Sequence, residues 1–398
     1  MCSKALQGIT VLDLTRVLAG PFCAMNLADF GAEVIKIEMP GKGDDTHAFP
    51  PFRNGESMYF ANINRNKKGI TLNLKSEEGK KIFFDMVKKA DVVLENYRPG
   101  VMDKLGAGYD VLCEINPRII YAACSGFGAY GRDHLKPGYD IIAQAEGGMM
   151  SITGEYGESP LRVGAAIGDV LGGMNMIIGV LLALQARNVT GKGQRVDISL
   201  QDSVISCLEN TGIRFQGSGK LPERIGNRYA SAYPYDAFHG KDGDFVIGCA
   251  NDKLFTLLCN NVFHMPELLE DKRFSTNAAR CENWAELKSI VNSWSVNYTV
   301  EEAVNIILGA GVPAGKIANI EQLMSSDHVM EDREMYVSLP HPKIGDMYVN
   351  GTPVKLMGTP AEIVSPAPAL GQDNLEVFHS MLGYDEEKIE ALAASGVI

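Results

Sequence analysis

ITVLDLTRVLAGPFCAMNLADFGAEVIKIE, residues 9–38, decides the fold. Ile9–Leu14 is a short apolar run, the mark of a buried strand. Gly20 and Pro21 follow it, and Pro suits the first turn of a helix. The spacing predicts a helix over Phe22–Phe30, ended by Gly31, and a second strand over Glu33–Glu38. A strand, a helix and another strand in some thirty residues form a βαβ unit, which requires a parallel sheet with helices on its faces.

The pattern continues downstream. Strands are expected at Ile70–Leu74, Val92–Glu95, Ile119–Ser125 and Arg195–Ser199. Ser76–Ala90 reads as an amphipathic helix, with Ser76 as N-cap and acids in its first turn. A long apolar helix is expected at Leu171–Asn188, and another over Gln201–Gly212. Beyond the polar, Gly-rich stretch Gln216–Arg228 the texture changes. DAFHGKDGDFVIGCA (236–250) predicts a hairpin turning at Lys241-Asp242-Gly243, and helices are expected near Asp252–Val262, Asn283–Trp294, Val300–Ala310 and Asp385–Ala394. The chain therefore divides into a large α/β domain over 1–215, a linker over 216–232, a small α+β domain over 233–325, and a segment over 326–398 that completes the large domain.

Composition narrows the function classes. Of 398 residues, 37 are Lys or Arg and 49 are Asp or Glu, a net charge of −12. That balance argues against non-specific nucleic-acid binding, which needs a basic surface. With 45% hydrophobic and 22% charged residues, the chain is too apolar for intrinsic disorder. The N-terminal MCSKALQGITVLDL does not have the layout of a secretion signal. The eight cysteines contain no CxxC pair and read as reduced thiols of a cytoplasmic protein. The eleven-residue run MNMIIGVLLAL (174–184) is too short to span a bilayer and predicts a buried core helix.

The chemistry-bearing motifs are sparse. GxGxxG does not follow the first strand, so a dinucleotide site of that kind is unsupported. No GxSxG, no HExxH and no Cys/His cluster with zinc spacing is present, and the seven histidines are scattered. Asp169 stands out in GAAIGDVLGGM (164–174), where small neighbours leave space around a carboxylate at the start of the long helix. As an N-cap it would need no further role. Arg16, Lys36, Arg65, Lys67, Lys68, Lys75, Arg98, Lys104, Arg132 and Tyr139 gather near predicted strand ends. That edge of a parallel sheet is where a phosphorylated ligand would sit, though each is equally explained as a solvated surface group.

Taken together, residues 12–38, NRNKKGITLNLK (64–75), ADVVLENYRPG (90–100), INPRIIYAACSGFG (115–128), PGYD (137–140), GAAIGDVLGGM and TGKGQRVDISLQDS (190–203) resemble the family III CoA-transferases, the formyl-CoA transferase and carnitine CoA-transferase-like family. The resemblance runs over the whole chain. It implies a large Rossmann-like domain plus a small domain, and an interlocked homodimer. It implies Asp169 as nucleophile, coenzyme A as co-substrate, and no metal, further nucleotide cofactor, nucleic acid or membrane partner. It places CoA near Val17, Leu18, Ala19, Leu72, Asn73, Lys75, Asn96, Tyr97, Arg98, Lys104, Tyr139 and Asp140. Backbone N–H groups around Asp169 and in Gly226–Ala232 are candidates for stabilising oxyanions.

Two positions divide the family. Its acyl-CoA racemase branch carries His where this chain has Tyr139, and a phenol, which ionises only at about pH 10, is a poor exchange base. The formyl-CoA:oxalate enzymes carry Gln where this chain has Leu18, and a poly-Gly loop that has no counterpart here. TRVLAGPF, GDDT, NRNKK and AYPYDAF are more similar to enzymes that use succinyl-CoA with C4–C6 dicarboxylates. The expectation is therefore transfer of CoA from a succinyl-CoA-like donor to a carboxylic acid. An acyl-CoA epimerase and a formyl-CoA:oxalate-type transferase stand as alternatives.

Overall fold

The computed structural model describes residues 4–398; Cys2 and the other residues before Lys4 lie outside the described residues. Two compact units are present. Of the described residues, the first comprises 4–150, 162–218 and 326–398, and the second 151–161 and 219–325. Residues 151–161, expected in the large domain, cluster with the second unit. The span 216–232, expected as a linker, is divided between the two.

The first unit is built on six parallel strands: β1 (Thr10–Asp13), β2 (Glu33–Glu38), β3 (Lys68–Thr71), β4 (Val92–Glu95), β5 (Ile120–Ser125) and β6 (Arg195–Ser199). Their spatial order is 3-2-1-4-5-6. Successive side chains on a strand face opposite sides. Leu12, Ile35, Ile70 and Val93 therefore enter one core with Phe83, Met86 and Phe378. Val11, Val34, Val92 and Ile120 enter the other, with Leu27, Met176 and Val180. Burial on both faces is why these strands read as continuous apolar runs. Helix α1 (Ala19–Asp29) contributes Cys23, Ala24 and Leu27 to the second core; α2 (Glu77–Val87), capped by Ser76, contributes Ile82, Phe83 and Met86 to the first.

β3 starts at Lys68 rather than Ile70 and ends at Thr71. Leu72 and Leu74 are buried without being strand, because the Asn73 N–H donates to the Val397 carbonyl at 2.8 Å. The edge of β3 is closed by the return segment. Gly69 N–H donates to Asp373 at 2.7 Å and Thr71 N–H to Asn374 at 2.9 Å, which removes an exposed pairing edge.

Of the remaining helices of this unit, α3 (Tyr109–Ile115), α4 (Asp140–Glu146), α5 (Ile167–Thr190) and α6 (Leu200–Ser206) matter most. The helix expected over 201–212 ends at Ser206, and a separate one spans Thr211–Ser218. α5 starts four residues before the expected Leu171. By length and composition alone it could cross a membrane. One face is buried through Met176, Val180 and Ala183, and buried Arg187 pairs with Asp91 at 2.8 Å. The opposite face leaves Met174, Ile178, Leu181 and Leu182 exposed, so the helix is only half of the buried core element expected.

The second unit contains a three-stranded antiparallel sheet: β7 (Tyr235–His239), β8 (Asp244–Gly248) and β9 (Ala314–Lys316). Phe238, Phe245 and Ile247 pack with Leu287 and Val291 of α7 (Trp284–Ser295) and Ile307 of α8 (Val300–Gly309). Thr299 and Glu302 form a reciprocal capping box that starts α8. Gly226–Ala232 belongs to this unit.

Candidate active site

β1 and β4 are neighbours, and the strand order reverses between them. In such sheets ligands bind beyond the carboxyl ends of those two strands. Here the two strands end at Asp13 and Glu95, and their following turns are stapled together. Arg16 N–H donates to Asn96 Oδ1 at 2.8 Å, and Asn96 Nδ2 donates to the Arg16 carbonyl at 2.6 Å. The Asn96 side chain is thus committed to the protein's own backbone.

A cleft of about 360 Å³ opens at this switch point. Val17, Leu18, Ala19, Asn96, Tyr97, Arg98 and Tyr139 line it, together with Asp169. A second hollow of about 550 Å³ is lined by Leu72, Asn73 and Lys75, and shares Arg16, Tyr97 and Val101 with the cleft. Of the twelve residues expected around CoA, two line neither hollow: Lys104, which is exposed, and Asp140.

Asp140 has a different task. Its Oδ1 accepts the Gly168 N–H at 2.8 Å, satisfying an orphan donor at the start of α5. Its Oδ2 accepts Gln144 Nε2 at 2.8 Å, and Gln144 Oε1 accepts the Val163 N–H at 2.9 Å. This set fixes where α5 begins. Ala166 is the N-cap and Asp169 is the third residue of the helix, so Asp169 is not the cap.

The glycines around Asp169 make room mainly for the protein itself. A Cβ on Gly173 would lie 2.6 Å from the Ala19 carbonyl, and one on Gly168 3.1 Å from Asp140 Oδ1. One on Gly172 would collide with Leu200. Only Gly164 faces open space. Gly126 and Gly138, both in the cleft wall, touch backbone to backbone; a Cβ on Gly126 would sit 2.6 Å from Gly138 Cα.

Asp169 is half-buried, and among the described residues no hydrogen bond relieves its carboxylate. Burial first, and the neighbouring Asp140 charge second, push its pKa from 3.8 up to about 7. The α5 dipole opposes this by about 0.3–1 kcal/mol, less than one pKa unit, so burial prevails. The result is a basic carboxylate facing an open cleft, the condition of an activated nucleophile.

The basic residues sort differently from expectation. Lys36, Arg65 and Lys67 are buried and internally paired: Lys36 with Asp44 at 2.9 Å, Arg65 with Asp29 at 2.7 Å, Lys67 with Asp13 at 2.9 Å. Lys68 pairs with Glu33 and Glu376. Arg132 lines neither hollow, whereas Lys75 and Arg98 do. Lys42, Ser125 and Lys136 also line the hollows. Sequence reading passed over them: Lys136 directly precedes PGYD and Ser125 closes β5, and those positions were the available signal. Among the described residues no group of three or more His, Cys, Asp or Glu could hold a metal.

Fold and site define an α/β protein with a half-buried, basic carboxylate in a cleft at the switch point of a parallel sheet. Residues 6–374 match the family model for CoA-transferase family III, and the chain belongs to that family. It is 38% identical to succinyl-CoA:glutarate CoA-transferase of Mus musculus, over 99% of this chain and 90% of that one. It is 42% identical to acetyl-CoA:oxalate CoA-transferase of Acetobacter aceti, over 88% and 89%. The crystal structure of a CaiB/BaiF family protein from Brucella suis superposes with a TM-score of 0.83 at 33% identity, covering 95% of this chain and 99% of that one.

Proposed function

We propose that this enzyme moves CoA from a succinyl-CoA-like donor to a C4–C6 dicarboxylic acid by covalent catalysis on Asp169. The observation that carries the reading is the unrelieved, basic carboxylate of Asp169 in the cleft wall. The Asp169 oxygen attacks the thioester carbonyl, the C–S bond breaks, and CoA leaves as thiolate from a mixed acyl-aspartyl anhydride. The thiolate attacks the aspartyl carbonyl, releasing the donor carboxylate and leaving an aspartyl-CoA thioester. The acceptor carboxylate attacks that carbonyl and again expels the thiolate. Thiolate attack on the acceptor's acyl carbon yields the new acyl-CoA and frees Asp169. Each step passes the acyl-bond energy on, so the exchange needs no ATP.

In this reading the second hollow takes the nucleotide end of CoA, with Lys42 and Lys75 near its phosphates, and the thiol end enters the cleft past Arg16 and Tyr97. The steps develop oxyanions; Leu18 and Ala19 line the cleft, and we assign their backbone N–H groups to this task, the Val17 N–H being held by Asp44. We read the chain as a homodimer on the exposed apolar face of α5. The free thiols of the described cysteines accord with the reducing cytoplasm.

The test is product analysis. Succinyl-CoA is offered with glutarate, other dicarboxylates, oxalate and monocarboxylates, in deuterated water. A new dicarboxyl-CoA, lost in Asp169→Ala, is the expected result. Exclusive transfer to oxalate would place the enzyme beside its Acetobacter relative instead. Deuterium entering the α-carbon of an acyl-CoA without any acceptor would indicate epimerase chemistry and refute the transfer reading.

A further inference from the structure

Val17 is a backbone anomaly in the wall of the cleft. Its φ is +67°, and it is the only β-branched residue among the six described non-glycine residues with positive φ. For such a residue the left-handed region is a true outlier. Conformations of this kind persist only where the surroundings impose them.

The clamp is visible. Val17 N–H donates to Asp44 Oδ1 at 3.2 Å, an oxygen that also accepts the Thr46 N–H at 3.0 Å. Asp44 Oδ2 accepts Lys36 Nζ at 2.9 Å, and Lys36 Nζ also donates to the Thr15 carbonyl at 3.0 Å. One buried ion pair therefore grips the turn at both ends, through the Thr15 carbonyl and the Val17 N–H. Both side chains are 0% exposed. Asp44 is braced in turn, its own N–H donating to Glu38 Oε2 at 2.7 Å. Asp44 borders the second hollow but not the cleft, which Val17, Leu18 and Ala19 line.

We propose that Asp44, charged and paired with Lys36, is a positioning residue for the transfer reaction: it holds Val17 in its left-handed turn so that the backbone of residues 17–19 faces the acyl group at Asp169. Burial alone would raise the Asp44 pKa, but Lys36 and the Thr46 and Val17 N–H groups bring it down to about 2, so the clamp stays charged across the working pH range. The inference rests on the CoA-transfer reading above.

A double-mutant cycle on Val17 and Asp44 tests it, with succinyl-CoA as probe. The readouts are the rate of Asp169 adduct formation, the split between kcat and KM, and the melting temperature. Asp44→Asn keeps the shape but presents an amide N–H₂ group or a neutral oxygen to Lys36. Misplacement of the turn on the scale of 1 Å should slow adduct formation about 10- to 100-fold. Glycine adopts the left-handed turn without strain. In the Val17→Gly background Asp44→Asn should therefore cost at least several-fold less, while its effect on melting temperature stays the same in both backgrounds. Equal costs in both backgrounds would mean that Asp44 serves folding alone and would overturn the proposal.

If Asp44→Asn does not fold, Val17→Pro decides. Proline holds φ near about −65° and has no N–H for Asp44, so this variant should lose at least about 10-fold more adduct formation than Val17→Gly, which can still adopt the turn. Near wild-type adduct formation in Val17→Pro would overturn the proposal equally. Wild-type protein that forms no adduct with any acyl-CoA would instead refute the transfer reading itself.

Discussion

Replacing Asp169 should make the protein more stable. Asp169 carries a carboxylate that burial and Asp140 disfavour, raising its pKa from 3.8 to about 7. The folded state therefore holds the proton more tightly than the unfolded state. That contribution to stability is complete below the unfolded value of 3.8 and is lost as pH rises through about 7. At about 1.4 kcal/mol per pKa unit, the ceiling of the loss is about 4 kcal/mol. Water in the open cleft screens part of this, leaving about 1–3 kcal/mol. Asp169→Asn keeps the shape and removes the charge. Chemical denaturation from pH 4 to 8 should show the variant level with wild type at pH 4 and more stable by that amount at pH 8. A variant less stable at pH 8, or a difference that does not grow with pH, would refute the argument that Asp169 is an unrelieved buried anion. Stability withheld at a reactive site is a common cost of function.

Further outcomes follow from the same geometry. The acid limb of kcat/KM should lie near pH 7, because Asp169 must be ionised to attack; Asp140→Asn removes the like charge while retaining an acceptor for Gly168, so a pH–rate profile should show the limb at lower pH. Gly173→Ala puts a Cβ 2.6 Å from the Ala19 carbonyl. The backbone there cannot yield cheaply, so thermal melting should report a loss of about 1–3 kcal/mol despite the better helix propensity of alanine. Ile178→Glu on the exposed face of α5 should shift sedimentation from dimer to monomer; an unchanged dimer would place the interface elsewhere.

How much was legible follows from where each constraint originates. β2, β4 and β6 were readable to the residue; in β2 and β4, burial on both faces writes itself as a local apolar run. The end of β3 was not. Leu72 and Leu74 extend the apolar run, but the N–H of Asn73 between them is claimed by the Val397 carbonyl, more than three hundred positions away. The start of α5 was missed for a related reason. Gly164–Gly173 argues against helix locally, whereas Asp140 caps Gly168 from 28 residues upstream. Asp169 was picked out by its setting, yet its basicity comes from burial and from Asp140, neither of which a motif encodes. Lys36, Arg65 and Lys67 misled in the opposite sense. A basic residue beside a strand end suggests ligand phosphate, but these three neutralise Asp44, Asp29 and Asp13.

The central claim is that Asp169 becomes covalently acylated and then carries CoA. Intact-mass measurement of the wild-type protein after brief incubation with succinyl-CoA tests it most directly, with Asp169→Asn alongside. The account predicts an added mass of a succinyl or CoA group, absent from the variant and mapped by peptide analysis to Asp169. An adduct of equal yield in Asp169→Asn, or full turnover with no adduct trapped on Asp169 by hydroxylamine, would contradict it.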